Sequence, residues 1–117
     1  MKFDPNRRAA LLAGAVALAL ATVAAPATAQ KKYGPGASDT EIKLGQTMPY
    51  SGPASAYGTI GKLHQAYFKM INDQGGVNGR KINLISLDNG YNPPKALEQT
   101  RKLVEEDNVL AIAGFLG

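Results

Sequence analysis

The residues of this 117-residue chain whose types can do chemistry are few and widely spaced. There is one histidine, His64, no cysteine and no Gly-x-Ser-x-Gly elbow, so the pairings that activate a nucleophile lack raw material. Asp88 closes the apolar run Ile82 to Leu87, where it suits a phosphoacceptor or a catalytic carboxylate. The commoner use of an aspartate there is to buttress the following loop through backbone N–H groups. A phosphoacceptor would also want acidic residues after the first strand, where Gln46-Thr47-Met48 stands instead. Ser51, Tyr57 and Tyr91 lie in or beside Gly- and Pro-rich stretches that read as loops, and there they can bind without reacting. The inventory favours recognition over catalysis and calls for no cofactor and no metal.

Those loops must be held by regular elements, and the spacing of apolar residues supplies them. Ile42 to Met48 predicts a short strand, and Pro53 to about Gln74 a helix in which Ile60, Leu63, Tyr67, Met70 and Ile71 share one buried face. His64 lies on the same row, which predicts a partly buried, hydrogen-bonded imidazole. Gly75-Gly76 ends the helix, because glycine accepts the left-handed backbone that closes one. Lys81 to Leu87 is a second strand, Asp88-Asn89-Gly90-Tyr91 a loop, and a second helix starts near Asn92, with Asn92 as cap and Pro93 in the first turn. Ala96, Leu97, Thr100, Leu103 and Val104 mark its buried face. Val109 to Phe115 is apolar at nearly every position, as in a parallel strand covered on both sides. The order β-α-β-α-β predicts an α/β fold with a parallel sheet and right-handed crossovers. A last strand of this kind so near Gly117 leads to the expectation that Gly117 is a truncation point, and that residues 30–117 alone would aggregate or bind a hydrophobic dye.

The first 29 residues read as an address. Arg7-Arg8 precedes an uncharged Ala, Leu and Val stretch that ends in Ala27-Thr28-Ala29, the small-x-small pattern of a signal peptide cleaved after Ala29. A membrane anchor is disfavoured by the dominance of Ala and by Pro26, and a twin-arginine signal by Asn6 and Ala10 around the arginine pair. The formal charge of the chain is +4, but losing Lys2, Arg7 and Arg8 with Asp4 leaves 10 basic against 8 acidic residues. That balance is too slight and too dispersed to argue for a nucleic-acid partner, and no basic stripe with interleaved aromatics is present, so none is expected. Without cysteine, an exported fold has no disulfides and relies on its core.

In a doubly wound sheet, ligands sit beyond the carboxyl ends of the strands. Thr47 to Gly58, Asp88 to Asn92 and Gly114 to Gly117 occupy that edge. The first segment has free N–H groups and Ser51 ahead of a helix, a setting for a carboxylate or another anionic group. Ser51 suits a turn or cap equally. Tyr57 offers an aromatic wall with a polar tip, and Tyr91 offers either the same or loop packing.

Taken together, Ile42-Lys43-Leu44-Gly45, Ser51-Gly52-Pro53 with Tyr57-Gly58, Ile71-Asn72 with Gly75-Gly76-Val77-Asn78-Gly79-Arg80-Lys81-Ile82, Asp88, Leu103-Val104 and Ala113-Gly114 resemble the N-terminal lobe of the branched-chain amino-acid (Leu/Ile/Val-binding) type of periplasmic substrate-binding protein. The resemblance implies a type I binding-protein fold of two α/β lobes with a ligand between them, and delivery to an ABC permease in the inner membrane. The chain then divides into a signal peptide (1–29), a flexible lead-in (30–40) and part of the N-terminal lobe (41–117). Carried over by position, Tyr57 matches the aromatic residue bordering the ligand and Ser51 lies in the same mouth loop. Leu116 and Gly117 begin the loop whose backbone holds a ligand carboxylate. Tyr50 and Asn89-Gly90-Tyr91-Asn92-Pro93-Pro94 depart from the leucine type, leaving an amino acid or a related organic acid or amide, aromatic ones included, as the ligand.

Other classes fit less well. Pro49 to Gly58 lacks the Gly-x-Gly-x-x-Gly of a dinucleotide site, and Gly34-Pro35-Gly36 precedes the strand. The alternative that remains is a ligand-binding sensory domain of the same fold on a membrane receptor.

Overall fold

The alternation of periods becomes a three-stranded parallel sheet in the computed structural model, which describes residues 31–117. The predicted signal peptide and its cleavage after Ala29 lie outside the described residues. β1 (Glu41–Met48) is the middle strand, with β2 (Lys81–Asp88) paired to it in register from Glu41 with Lys81 to Met48 with Asp88. β3 (Ala111–Phe115) pairs on the other side and carries one extra residue between its Ile112 and Phe115 partners, a bulge at which Gly114 takes φ +87°. The strand order is β2-β1-β3, so all three carboxyl ends lie at one edge.

Two helices cover opposite faces of this sheet. α1 (Gly58–Asp73) faces Gln46 and Met48 of β1: His64 bonds Gln46, and Gly61 lies against Met48 and Tyr50. α2 (Pro93–Arg101) continues as a π-helical turn (Lys102–Glu106), whose fully buried Leu103 packs on Gly45, next along β1 and therefore on the other face. Among the described residues the buried apolar side chains are Met48, at the end of the middle strand, and Leu103 and Val109, which pack against its Gly45.

The local signals explain the element ends. Gly75 (φ +106°) and Gly76 (φ +77°) close α1, with Gly76 N–H donating to Ile71 O at 2.9 Å. Asn78 and Gly79, both at positive φ, turn the chain between Val77 and Arg80, the backbone pair that Asn-Gly favours. Asn72 then clasps the start of β2, donating to Ile82 O and accepting from Ile82 N–H, each at 2.7 Å. Asn92 caps α2 by accepting from Lys95 N–H at 3.0 Å, with Pro93 in the first turn, as expected.

Four expectations are corrected. The first helix starts at Gly58 and not Pro53, because Ser55–Tyr57 form a separate 3-10 turn that begins with Ser55 N–H donating to Gly52 O. Its inner face is also different. Gly58 and Gly61 are buried and His64, Phe68 and Asn72 half-buried, while Ile60, Leu63, Tyr67 and Met70 are exposed; of the predicted face only Ile71 is partly covered. The packed face lies about a third of a turn from the predicted one. The reason is Tyr50, whose ring and hydroxyl lie where a side chain at position 58 or 61 would project, so the helix approaches through its glycines. On the second helix Leu103 is buried and Ala96 and Thr100 half-buried, but Leu97 and Val104 face outward. The third strand begins at Ala111 instead of Val109, and among the described residues it is an outer strand of the sheet with Phe115 70% exposed.

Residues 33–40 carry contacts of their own. Tyr33 donates to Asp39 at 2.6 Å and stacks under Arg80, Lys43 N–H donates to Gly36 O at 2.7 Å, and Gly36 packs against the backbone of Asn108 to Leu110.

Candidate functional site

At the carboxyl edge of the sheet two adjacent side chains, Asp88 and Asn89, reach all three loops. Neighbouring residues at a strand end point to opposite sides, so one serves the loop after β1 and the other the loop after β3. Asp88 Oδ1 accepts from the N–H groups of Tyr50 (2.9 Å), Ser51 (3.1 Å) and Gly90 (3.0 Å). Its Oδ2 accepts from Ser51 Oγ (2.5 Å) and from Lys95 Nζ (2.9 Å), the latter an ion pair from the first turn of α2. The Ser51 hydroxyl and the Lys95 ammonium favour the carboxylate over the acid, backbone donors from Gly90 and Ser51 add to this, and together they outweigh partial desolvation. The Asp88 carboxyl is therefore held far below the usual carboxylate range.

Asn89 is fully buried. Its Nδ2 donates to Leu116 O at 2.6 Å and to Thr47 Oγ1 at 3.3 Å, and its Oδ1 accepts from Tyr91 N–H at 2.9 Å. Leu116 N–H in turn donates to Thr47 O at 3.1 Å. The bond to Tyr91 holds that residue at φ +57°, a left-handed backbone that ordinarily costs a non-glycine residue about 1–2 kcal/mol.

Of the predicted site residues, Ser51, Tyr91, Leu116 and Gly117 are linked through Asp88 and Asn89. Gly117 backs onto the Asn89 amide, leaving no room for a Cβ there. Ser51 is exposed, with its hydroxyl hydrogen given to Asp88. Tyr57 ends the 3-10 turn just before α1 and is 57% exposed, and Tyr91 is 55% exposed. The first and second loops touch, since the Gly52 α-carbon faces Gly90 O and the Gly90 α-carbon faces Ser51 Oγ. Asp88 buttresses its following loop, as expected, and beyond that expectation it reaches back to Tyr50 and Ser51 and pairs with Lys95, while Asn89 fixes the backbone of Tyr91 and Leu116. An Asp-Asn pair at the end of an apolar strand, with a lysine in the first turn of the next helix, was the available signal.

Behind the edge, a polar chain crosses between sheet and α1. His64 Nδ1 lies 2.6 Å from Gln46 Nε2, Ser86 Oγ donates to Gln46 Oε1 at 3.0 Å, and Tyr50 Oη is 2.5 Å from Ser86 Oγ. This satisfies the fully buried Gln46 and makes His64 the half-buried, hydrogen-bonded histidine expected. A concavity of about 380 Å³, lined by Gln65, Phe68, Ile82 and Leu84 among others, opens along β2 and not at its carboxyl end. Among the described residues no group of His, Asp or Glu is arranged to hold a metal, and no helix is long and apolar enough to cross a membrane.

Comparison with known proteins agrees with this architecture. Residues 41–117 match the sequence pattern described as periplasmic binding protein. The chain is 30% identical over 81 residues to the Leu/Ile/Val-binding protein homolog 1 of Brucella abortus, covering 68% of this chain and 22% of that protein. A fatty acid ABC transporter substrate-binding protein from Thermomonospora curvata superposes with TM-score 0.64 and 40% identity, over 74% of this chain and 22% of that one. The branched-chain amino acid transporter substrate binding protein of Streptococcus pneumoniae, solved with isoleucine, superposes with TM-score 0.60 and 34% identity, over 64% and 22%. The chain thus spans about a fifth of the length of the relatives it matches.

Proposed function

The chain belongs to the periplasmic binding protein family, and on that premise we propose that it is the extracytoplasmic solute-binding subunit of an ABC importer. It binds a small organic molecule, an amino acid or a related acid or amide, between this lobe and a second one, and delivers it unchanged to a permease in the inner membrane. The signal peptide of residues 1–29 takes it to the periplasm. The observation that carries the reading is the carboxyl edge itself: three loops from three parallel strands, cross-tied by Asp88 and Asn89, with the rings of Tyr57 and Tyr91 left open to solvent. A polar interior that finishes its own hydrogen bonds and presents rings outward is suited to hold a ligand by contact, and lobe closure then supplies the remaining wall. Ligand contact is assigned to Tyr57, Tyr91, Leu116 and Gly117, with Ser51 in the same mouth.

The test is calorimetric titration of the full-length protein with branched-chain amino acids, aromatic acids and amides, and fatty acids. One of these classes binds, and Tyr57→Ala weakens that binding while leaving the melting temperature of the unliganded protein nearly unchanged. Equal affinity in both versions removes Tyr57 from the site, and no binding across the panel removes the importer reading.

A further inference from the structure

The loop after β1 has the donors of an anion site, and they are already occupied. Two successive backbone N–H groups, those of Tyr50 and Ser51, the Ser51 hydroxyl and the Lys95 ammonium converge on one carboxylate, which belongs to the chain. With Gly90 N–H that carboxylate accepts five hydrogen bonds, filling the roughly four lone-pair directions that two carboxylate oxygens offer. We propose that Asp88 is the resident anion of the first mouth loop, a specificity-determining residue that closes this cradle to charge, so that the part of the ligand entering beside Tyr57 and Tyr91 is uncharged and apolar or aromatic.

This role of Asp88 rests on the proposed ligand-binding role of this edge. An incoming carboxylate or phosphate would have to displace Asp88 from the Ser51 hydroxyl, two N–H groups and a cation at once, and would leave a second negative charge beside its own. A neutral alkyl or ring system meets no such barrier. It meets instead two exposed phenol rings on touching loops, with the Tyr91 backbone pinned by Asn89. The low affinity of the Asp88 carboxylate for protons is in keeping with a permanently charged plug. Any anionic group of the ligand is then held away from this loop.

Amide NMR of the unaltered protein reads the plug directly, with formate as a small free carboxylate. In a formate titration at constant ionic strength the amide signals of Tyr50, Ser51 and Gly90 stay in place, and they move together only in acid well below the usual carboxylate range. In Asp88→Ala the same titration gives a saturable shift of the Tyr50 and Ser51 amides and a rise in melting temperature, and Asp88→Ala with Lys95→Met loses most of that response. Formate shifting the Tyr50 and Ser51 amides of the unaltered protein would overturn the proposal, whether or not Asp88→Ala folds. So would a well-folded Asp88→Ala that ignores formate. The importer reading is judged separately, by whether any member of the amino acid, aromatic and fatty acid panel binds. A binder that moves the Tyr57 and Tyr91 ring signals but not the Tyr50 and Ser51 amides supports both, and a binder that displaces Asp88 supports the importer reading alone.

Discussion

The carboxyl edge of the sheet and the outer face of α1 are built on opposite terms. At the edge, polar groups that water could satisfy are instead satisfied within the chain: Asp88 takes five donors, and Asn89 bonds Thr47, Tyr91 and Leu116. On α1, Ile60, Leu63, Tyr67 and Met70 form an apolar row at helical spacing with much of its surface in water, Leu63 being 65% exposed. The shape of the mouth is therefore fixed by bonds inside residues 47–117, while the outer row contributes little to holding these residues together. Hydrogen bonds are directional and set geometry; apolar contact sets only that something be covered.

Substitutions separate the two regions, beginning with the largest expected effect. Asn89→Ala removes three bonds from a fully buried position and is expected to destabilise by about 3 kcal/mol, read from urea denaturation. Gly61→Ala probes the inner face of the same helix whose outer face is exposed. A methyl group there collides with the Tyr50 hydroxyl that Ser86 anchors, and a loss of about 2 kcal/mol is expected, with weakening of the Tyr50 to Ser86 contact. Asp88→Asn keeps an acceptor for the loop amides but turns an NH2 toward Lys95 and Ser51, and is expected to cost about 1–2 kcal/mol at neutral pH.

The pH dependence carries its own sign. Asp88 has a depressed pKa in the folded state, so its contribution is present above the ordinary carboxylate value of about 4 and is lost as pH falls below that toward its lowered folded value. Asp88→Asn removes that part of the acid slope, which a comparison of melting temperature against pH in the two proteins measures. At the small end, Leu63→Lys with Tyr67→Lys is expected to change stability by no more than about 0.5 kcal/mol per site, while reducing binding of a hydrophobic dye to the chain. A large loss of stability there would mean that the outer row is held by something within the folded unit, and would break the contrast.

Much of the frame was readable in the sequence because it depends on local rules. The β1 and β2 ranges follow from apolar residues between turn signals, the end of α1 from Gly75-Gly76, and the start of α2 from Asn92 and Pro93. The buried face of α1 was not readable, since it is set by a ring from a distant loop: Tyr50 occupies the space that apolar side chains would otherwise fill, and glycines carry no apolar signal. The extent of β3 depended on which positions pair with β1, and the bulge at Gly114 leaves no mark in a pattern of apolar residues. In the mouth, ring positions could be proposed from residue type and place, whereas the pairing of Asp88 with Tyr50 and Ser51 needs two loops almost 40 residues apart to meet. Spacing along the chain is silent on such meetings.

The most direct test of the central claim, that the carboxyl edge is the ligand-binding face, is backbone hydrogen exchange of the full-length protein with and without isoleucine, and then with and without a fatty acid. Whichever of the two calorimetry shows to bind is expected to slow exchange in residues 50–58, 88–92 and 114–117 and to leave the outer face of α1 unchanged. Slowing confined to Ile60 through Met70, or no slowing in those loops with a ligand that calorimetry shows to bind, would contradict it.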